Sequence, residues 1–154
     1  MKHPTNIFLK TFLSVAVLAV CLAPLSSSAQ DDPCFKAIDK YLSTVDTKKF
    51  YQIMPKEVNN QMKVRPNLVI LDVRKPDEVK ELGKIPGALH IRLNSLTKNL
   101  DKLPKKDAAI IIYCKGGARG TMAAGFLGIL GYTNVKNMKG GFTAWTKAGY
   151  KVEK

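Results

Sequence analysis

The sequence is poor in residues that bind metals. Its 154 residues include two histidines, His3 and His90, and three cysteines, Cys21, Cys34 and Cys114. No Cys-x-x-Cys pair is present, and neither histidine has a cysteine or carboxylate partner at the spacing of a metal site. We therefore predict no metal site and no cofactor.

Acidic residues are scarce as well: 12 stand against 25 basic ones, and the formal net charge is +13. A charge of this sign favours anionic small molecules, anionic surfaces or nucleic acid as ligands. The lysines are spread along the chain rather than gathered in runs, which is typical of a basic, solvated surface. The export signal described next argues against nucleic acid as a partner.

An apolar run long enough to span a membrane is missing. Lys2 and Lys10 precede a charge-free stretch at 11–25, about 15 residues long, whereas a spanning helix needs roughly 20. The small residues Ser27-Ser28-Ala29 follow. This is the layout of a secretory signal peptide over residues 1–29, cleaved after Ala29.

Cleavage would give an exported, periplasmic protein without a membrane span in its mature form. Losing Lys2 and Lys10 lowers the formal charge from +13 to +11. Two alternatives are a retained N-terminal anchor and lipidation at Cys21. The bulky Val20 before Cys21 disfavours lipidation.

The mature chain would keep two cysteines, Cys34 and Cys114. An exported pair invites a disulfide. Cys34, however, falls in a polar N-terminal extension, and Cys114 falls in a loop whose composition indicates reactivity. Whether the two cysteines pair stays open at this point.

Apolar patterning after residue 51 predicts strands that alternate with helices. Continuous β-branched runs at 67–73 and 108–113 are typical of strands buried on both faces of a parallel sheet. The alternation predicts an α/β domain of three layers, with a mostly parallel sheet flanked by helices. Further strands are predicted at 88–92 and 135–138, and helices at 55–63, 76–82, 95–103, 119–130 and 142–148.

An amphipathic helix is predicted over residues 31–50. Its apolar residues recur at three- and four-residue steps, and an Asp before Pro33 suits a helix start. We interpret it as a brace that packs on its own domain; a partner-binding helix is the alternative. The apolar stripe consists of Phe35, Ile38, Tyr41, Leu42 and Val45. For the helix 119–130, the predicted apolar face consists of Met122, Ala123, Phe126, Leu127 and Leu130.

The loop after the second buried strand carries the predicted chemistry. Cys114 follows the strand 108–113, and Gly116, Gly117 and Ala118 are small enough for the backbone to curl so that several N–H groups form an anion cradle at the start of the next helix. Such a cradle stabilises a thiolate, which is the nucleophilic form of cysteine. Lys115 and Arg119 add positive charge that suits an oxyanion.

Five segments of the chain resemble the rhodanese domain of sulfurtransferases. They are 71–74 followed by Glu78, 83–88, the loop and helix 114–124, 131–132 and 140–145. In the right order they cover about residues 52–152. The chain would then divide into a signal peptide at 1–29, a helical extension at 30–51 and a rhodanese-like domain at 52–154.

The resemblance implies a double displacement through Cys114. The cysteine would take the outer sulfur of a small anionic donor such as thiosulfate, become a persulfide, and pass the sulfur to a thiol or to cyanide. Residues Lys115, Gly116, Gly117, Ala118, Arg119 and Gly120 would bind the substrate. Rhodanese-fold phosphatases have a loop one residue longer, so the resemblance implies sulfur rather than phosphate chemistry.

Two positions depart from the family pattern. Gly120 stands where Ser or Thr is usual, and Thr121 is the candidate to replace a hydroxyl that caps the helix. Lys84 stands where His is frequent, which we interpret as a surface change.

Several other residues are expected to be structural. Asp72 and Arg74 are predicted to order the sheet end rather than contact substrate. Phe142 and Trp145 are predicted to fill the core. For Tyr113, just before the nucleophile, structural and functional roles both stay open.

The sequence leaves alternative functions open. One is a non-enzymatic sulfur carrier, or a partner-binding rhodanese module acting on a thiol protein. Another, minor one is a reductase that uses Cys34 together with Cys114.

Overall fold

The structure is a computed structural model, and it describes residues 31–45 and 51–154. The expected signal peptide at 1–29, its cleavage after Ala29 and the lipidation alternative at Cys21 lie outside these residues. The chain divides within its first helix into two compact units, Met1–Lys36 and Ala37–Lys154. In the part of the chain that is described, no helix has the length and hydropathy needed to cross a membrane.

Residues 31–45 and 51–154 contain five strands, five α-helices and one 3-10 helix. The strands are β1 (Gln52–Ile53), β2 (Val69–Asp72), β3 (Leu89–His90), β4 (Ile110–Tyr113) and β5 (Val135–Met138). The helices are α1 (Pro33–Thr44), α2 (Pro55–Val64), α3 (Pro76–Leu82), α4 (Ala118–Ile129) and α5 (Gly141–Lys147), and the 3-10 helix is Leu93–Lys102.

All five strands are parallel and lie in the order β1-β5-β4-β2-β3. The two apolar runs of the sequence form the adjacent strands β2 and β4, with Asp72 paired to Tyr113 at their carboxyl ends. Since parallel strands end at the same edge, the residues after β2 and β4 meet there. The predicted α/β fold with a mostly parallel sheet is confirmed.

Alternate residues of β4 face opposite layers. Ile111 and Tyr113 belong to a core cluster with Phe142 and Trp145, whereas Ile112 and Cys114 belong to a cluster with α4 and the 3-10 helix. Because both faces are covered, every residue of β4 is buried and apolar. The expected core positions of Phe142 and Trp145 are confirmed.

Helix α1 is shorter than the predicted 31–50. It begins at Pro33, with the Asp32 carboxylate accepting a hydrogen bond from the Cys34 N–H at 2.6 Å, and it ends at Thr44; positions 46–50 lie outside the described residues. Tyr41 packs its ring directly on Gly128 of α4, which fits a brace. The predicted stripe is wrong at Phe35 and Leu42, which are exposed. Leu42 is turned about 100° around the helix axis from Tyr41, away from α4.

Three local predictions need correction. The edge strand β1 was missed because two residues are too short to show a period. The segment predicted as a helix at 95–103 is a 3-10 helix that begins at Leu93 and is kinked at Asn99. Met122 is 66% exposed, since the buried face of α4 is centred on Ala123 and Leu127.

A buried ion pair holds the carboxyl end of β2. Asp72 and Arg74 are both fully buried, and Arg74 Nη2 donates to Asp72 Oδ2 and to the Gly83 carbonyl, each at 2.6 Å. The Arg74 guanidinium carbon lies 3.9 Å from the centre of the Phe142 ring. The hydrogen bond and charge of Asp72 keep the pKa of Arg74 above its usual value, although burial alone would lower it.

Replacing Asp72 with Asn should strongly destabilise the fold. The change leaves the Arg74 charge buried without its counterion, which costs about 3–5 kcal/mol. We expect the free energy of unfolding, measured by urea denaturation, to fall by about that amount. The matched control is Asp31→Asn, whose partner Lys36 is 62% exposed; its effect should stay below about 0.5 kcal/mol. Equal stability of the two variants would contradict the assigned role of Asp72.

Candidate active site

The Cys114 sulfur lies at the carboxyl end of β4, at the edge where ligand sites of open α/β sheets form. Cys114 is 1% exposed, and its Sγ accepts a hydrogen bond from the Gly117 N–H at 3.1 Å. Gly117 has a φ angle of 112°, a backbone conformation that residues other than glycine rarely adopt. The sequence predicts several inward N–H groups, and the structure shows one backbone donor on the sulfur.

Backbone N–H groups at the start of α5 hydrogen-bond to carbonyls at the start of the loop. The Cys114 carbonyl accepts from the Phe142 N–H at 2.7 Å, and the Lys115 carbonyl accepts from the Thr143 N–H at 3.0 Å. Gly141 has φ of 57°, and a Cβ on it would overlap the Cys114 and Lys115 backbone. The close approach of α5 thus requires glycine at 141, and both loop carbonyls are directed at N–H groups of α5.

Arg119 is engaged by an acidic partner from another helix. Its Nη1 donates to Glu78 Oε2 at 2.6 Å and its Nη2 to Glu78 Oε1 at 2.8 Å, a two-bond fork. This hydrogen bonding lowers the pKa of Glu78 to about 2. Glu78 raises the pKa of Arg119 in turn, and the nearby Cys114 contributes in the same direction. Both side chains stay partly exposed at the rim of the loop.

Gly120 lies on the inner side of α4 and is buried. A Cβ there would overlap the side-chain oxygen of Asn137 on β5. Asn137 Nδ2 donates to the Gly117 carbonyl at 3.1 Å and to Thr121 Oγ1 at 2.9 Å. Thr121 donates its own hydroxyl to the same carbonyl at 3.3 Å, so it does not cap an N–H group as expected.

The remaining predicted loop residues face outward. Lys115, Gly116 and Ala118 are exposed, and Ala118 begins α4 one residue earlier than predicted. Gly120, by contrast, is buried. Within the described part of the chain neither Cys34, which is exposed, nor Cys114 forms a disulfide.

The residues behind the loop form a buried support. Tyr113 is fully buried, and its hydroxyl oxygen accepts from the Ile85 N–H at 3.1 Å. Burial, together with the nearby Asp72, raises the pKa of Tyr113 well above its usual range. Asp72, Arg74 and Tyr113 are thus shielded from solvent, which agrees with the structural role predicted for Asp72 and Arg74.

Lys84 is not the simple surface change that was expected. It is partly buried, pairs with Glu153 at 3.2 Å and donates to the Ala88 carbonyl at 3.0 Å. The Glu153 carboxylate also accepts from the Gly87 N–H at 3.0 Å. The chain end is thereby attached to the turn whose Gly83 carbonyl binds Arg74.

A cavity of about 550 Å³ lies away from the loop. It is lined by α1 and α4 side chains together with Tyr51 and Tyr132, and no residue of 114–120 contributes to it. The candidate active site at Cys114 therefore lies at the carboxyl edge of the sheet, and this cavity is not part of it.

Two residues of the site were missed from the sequence alone. Glu78 was noted only as part of the resemblance, and nothing in its helix, which carries several charges, indicated that it pairs with Arg119 across 41 positions. Asn137 did carry a signal, since in the strand Val135–Met138 it lies two residues after Val135 and therefore shares the face of that apolar residue, whereas Lys136 lies on the other face. A buried polar residue on a central strand points to a specific hydrogen-bond partner.

Comparison with known proteins agrees with this geometry. Residues 54–148 match the rhodanese-like domain, and the chain belongs to that family. It is 34% identical over 86 residues to a sulfurtransferase of Allochromatium vinosum, covering 56% of this chain and 78% of the relative. A thiosulfate sulfurtransferase of Actinobacillus succinogenes is 31% identical over 104 residues, covering 68% of this chain and 91% of the relative.

Solved structures show the same fold. A rhodanese-related protein of Thermoplasma volcanium superimposes with a TM-score of 0.59 at 28% identity, over 66% of this chain and 96% of that one.

Replacing Glu78 with Gln should make the stability less sensitive to acid. A carboxyl whose pKa is about 2 when folded and about 4.3 when unfolded contributes stability above pH 4.3, and loses it as the pH falls toward 2. At pH 7 we expect Glu78→Gln to lower the free energy of unfolding by about 1 kcal/mol, because the pair is partly exposed.

The measurement is thermal unfolding of both proteins between about pH 7 and pH 2. The difference in melting temperature should shrink over the acidic half of this range. Glu81→Gln, at an exposed position of the same helix, is the control and should track the wild type. A Glu78→Gln difference that persists unchanged at pH 2 would show that the ion pair is not its source.

Proposed function

We propose that this protein is a sulfurtransferase that moves sulfane sulfur through a persulfide on Cys114. The observation that carries the proposal is the Cys114 Sγ held at 3.1 Å from the Gly117 N–H, in a loop whose first two carbonyls are bound by α5. A backbone donor and a helix start favour negative charge at this sulfur. Both a thiolate and a persulfide on Cys114 carry negative charge that needs such stabilisation.

The first half-reaction transfers sulfur to the protein. The Cys114 thiolate attacks the outer sulfur of thiosulfate or of a persulfide donor, and a new S–S bond forms. The S–S bond of the donor breaks, and sulfite, or a thiolate, leaves with the electron pair. Lys115 and Arg119 at the rim suit the oxyanion end of such a donor.

The second half-reaction returns the protein to its starting state. A thiolate or cyanide attacks the outer sulfur of the Cys114 persulfide, the protein S–S bond breaks, and the Cys114 thiolate is regenerated. The leaving group in this step is the same stabilised thiolate that served as nucleophile in the first. No general base is needed in either step when the reacting thiols enter as thiolates.

Replacing Cys114 with Ser should abolish sulfur transfer. We expect the purified wild type to form thiocyanate from thiosulfate and cyanide, and peptide mass analysis to find one added sulfur on Cys114. Cys114→Ser should give neither product, because a serine hydroxyl is not ionised at neutral pH. The control is Cys34→Ser, which should keep full turnover and also removes the partner that a disulfide-based reductase would need. Wild-type activity no greater than that of Cys114→Ser would refute the proposal.

A sulfur carrier that receives sulfur from a partner protein is the second candidate. The observation that favours it is the Arg119–Glu78 fork, since a small oxyanion donor must compete with Glu78 for the guanidinium. Persulfide on Cys114 with negligible turnover of thiosulfate would favour the carrier. Faster thiosulfate turnover by Glu78→Gln would instead show that the fork restrains an enzyme.

Export to the periplasm is part of the proposal. The charged start, the short apolar run and Ser27-Ser28-Ala29 support cleavage after Ala29. When the full chain is expressed in a bacterium with an outer membrane, we expect a soluble periplasmic protein whose mass corresponds to a start at Gln30. A membrane-bound chain that keeps residues 1–29, or one that begins at a lipidated Cys21, would contradict this.

A further inference from the structure

Asn137 is a buried polar side chain placed against the active-site loop. It is 3% exposed, and its Nδ2 donates to the Gly117 carbonyl and to Thr121 Oγ1. Its Oδ1 is buried and accepts no hydrogen bond from any described residue. Burying such an oxygen is unfavourable, so the two hydrogen bonds donated by Nδ2 have to offset this cost.

Gly120 provides the space that this amide occupies. The side-chain oxygen of Asn137 lies where a Cβ on residue 120 would stand. Asn137 belongs to β5 and is paired with residues of both β1 and β4, so a shift of its backbone to admit a larger residue would disturb both pairings. Residue 120 is also the position at which the loop lacks the usual hydroxyl residue.

The hydrogen bond from Asn137 sets the direction of the peptide between Gly117 and Ala118. The Gly117 carbonyl accepts from Asn137 Nδ2, from the Thr121 N–H at 3.0 Å and from the Thr121 hydroxyl. In a trans peptide the N–H points opposite to the carbonyl, so the Ala118 N–H is directed away from Asn137. Gly117, whose own N–H contacts the sulfur, is therefore held on its carbonyl side by Asn137.

We propose that Asn137 is a positioning residue for the loop around Cys114, and that Gly120 and Asn137 form a matched pair. The Asn137 amide orients the peptide between Gly117 and Ala118. The amide fits in its place only while residue 120 has no Cβ. This inference rests on the proposed sulfur transfer through Cys114.

Single substitutions should impair both stability and the reaction. Asn137→Ala removes two hydrogen bonds, and we expect persulfide formation on Cys114 to slow about tenfold at a temperature where the protein stays folded. Gly120→Ala should slow it to a similar extent and lower the melting temperature, because the new Cβ displaces the amide. The matched control is Gly125→Ala on the same helix, where a Cβ meets nothing within 4 Å.

The double variant Gly120→Ala/Asn137→Ala separates positioning from stability. Without the amide, Ala at 120 fits and is a better helix former than Gly, so in the Asn137→Ala background Gly120→Ala should raise the melting temperature. Gly125→Ala should raise it in both backgrounds. Persulfide formation should stay slow in the double variant, because the Gly117 carbonyl still lacks its amide partner.

The readouts are thermal unfolding, the rate of sulfur addition to Cys114 followed by peptide mass analysis, and the amide proton resonance of Gly117. That resonance reports the bond to Sγ and should shift in Asn137→Ala and in the double variant, but not in Gly125→Ala. A double variant that regains the wild-type rate together with its stability would overturn the positioning role. A Gly120→Ala variant as stable as Gly125→Ala would overturn the matched pair.

Failure of the proposed function would look different. In that case the wild type itself would gain no sulfur from thiosulfate or from a persulfide donor. The opposite effects of Gly120→Ala in the two backgrounds and the Gly117 resonance shift would still test the pair.

Discussion

The site depends above all on two backbone hydrogen bonds from α5 to the loop after β4. They run from Phe142 and Thr143 to the carbonyls of Cys114 and Lys115. The loop offers the Gly117 N–H to the sulfur, and its first two carbonyls accept from N–H groups of α5, which can approach because Gly141 carries no side chain. The same turn places the Phe142 ring over the Arg74 guanidinium, so the loop is connected to the end of β2 as well.

Two ion pairs at this edge of the sheet differ in what they can do. The Asp72–Arg74 pair is fully buried, and Arg74 connects the end of β2 to the Gly83 turn and to Phe142. The Arg119–Glu78 pair is partly exposed at the rim. Solvent screens a partly exposed pair, so the Arg119–Glu78 pair contributes less to stability than its geometry alone would suggest. The buried pair supports the end of β2, and the partly exposed one joins α3 to the start of α4.

Much of the fold was predictable because its signals are local. The buried strands β2 and β4 are continuous apolar runs, and helix α3 and strand β5 have the bounds that were predicted. The loop at Cys114 was recognisable because a cysteine, two glycines and an arginine at a strand-to-helix junction form a contiguous pattern. One error occurred at β1, where the strand was too short to show a pattern. Others occurred at Met122 and Leu42, because the apolar stripe in the sequence includes more residues than the helix face that is buried.

The sequence by itself determined the α/β class, the position of the candidate nucleophile and the small residues that let its loop curl, since these depend on neighbours along the chain. Only the tertiary structure decided that Arg119 binds Glu78, that Lys84 binds Glu153, and that Asn137 occupies the space left by Gly120. Each of these contacts joins residues on different elements. Which residues become partners depends on how the helices and strands pack. The sequence carries no periodicity or spacing that would predict this packing.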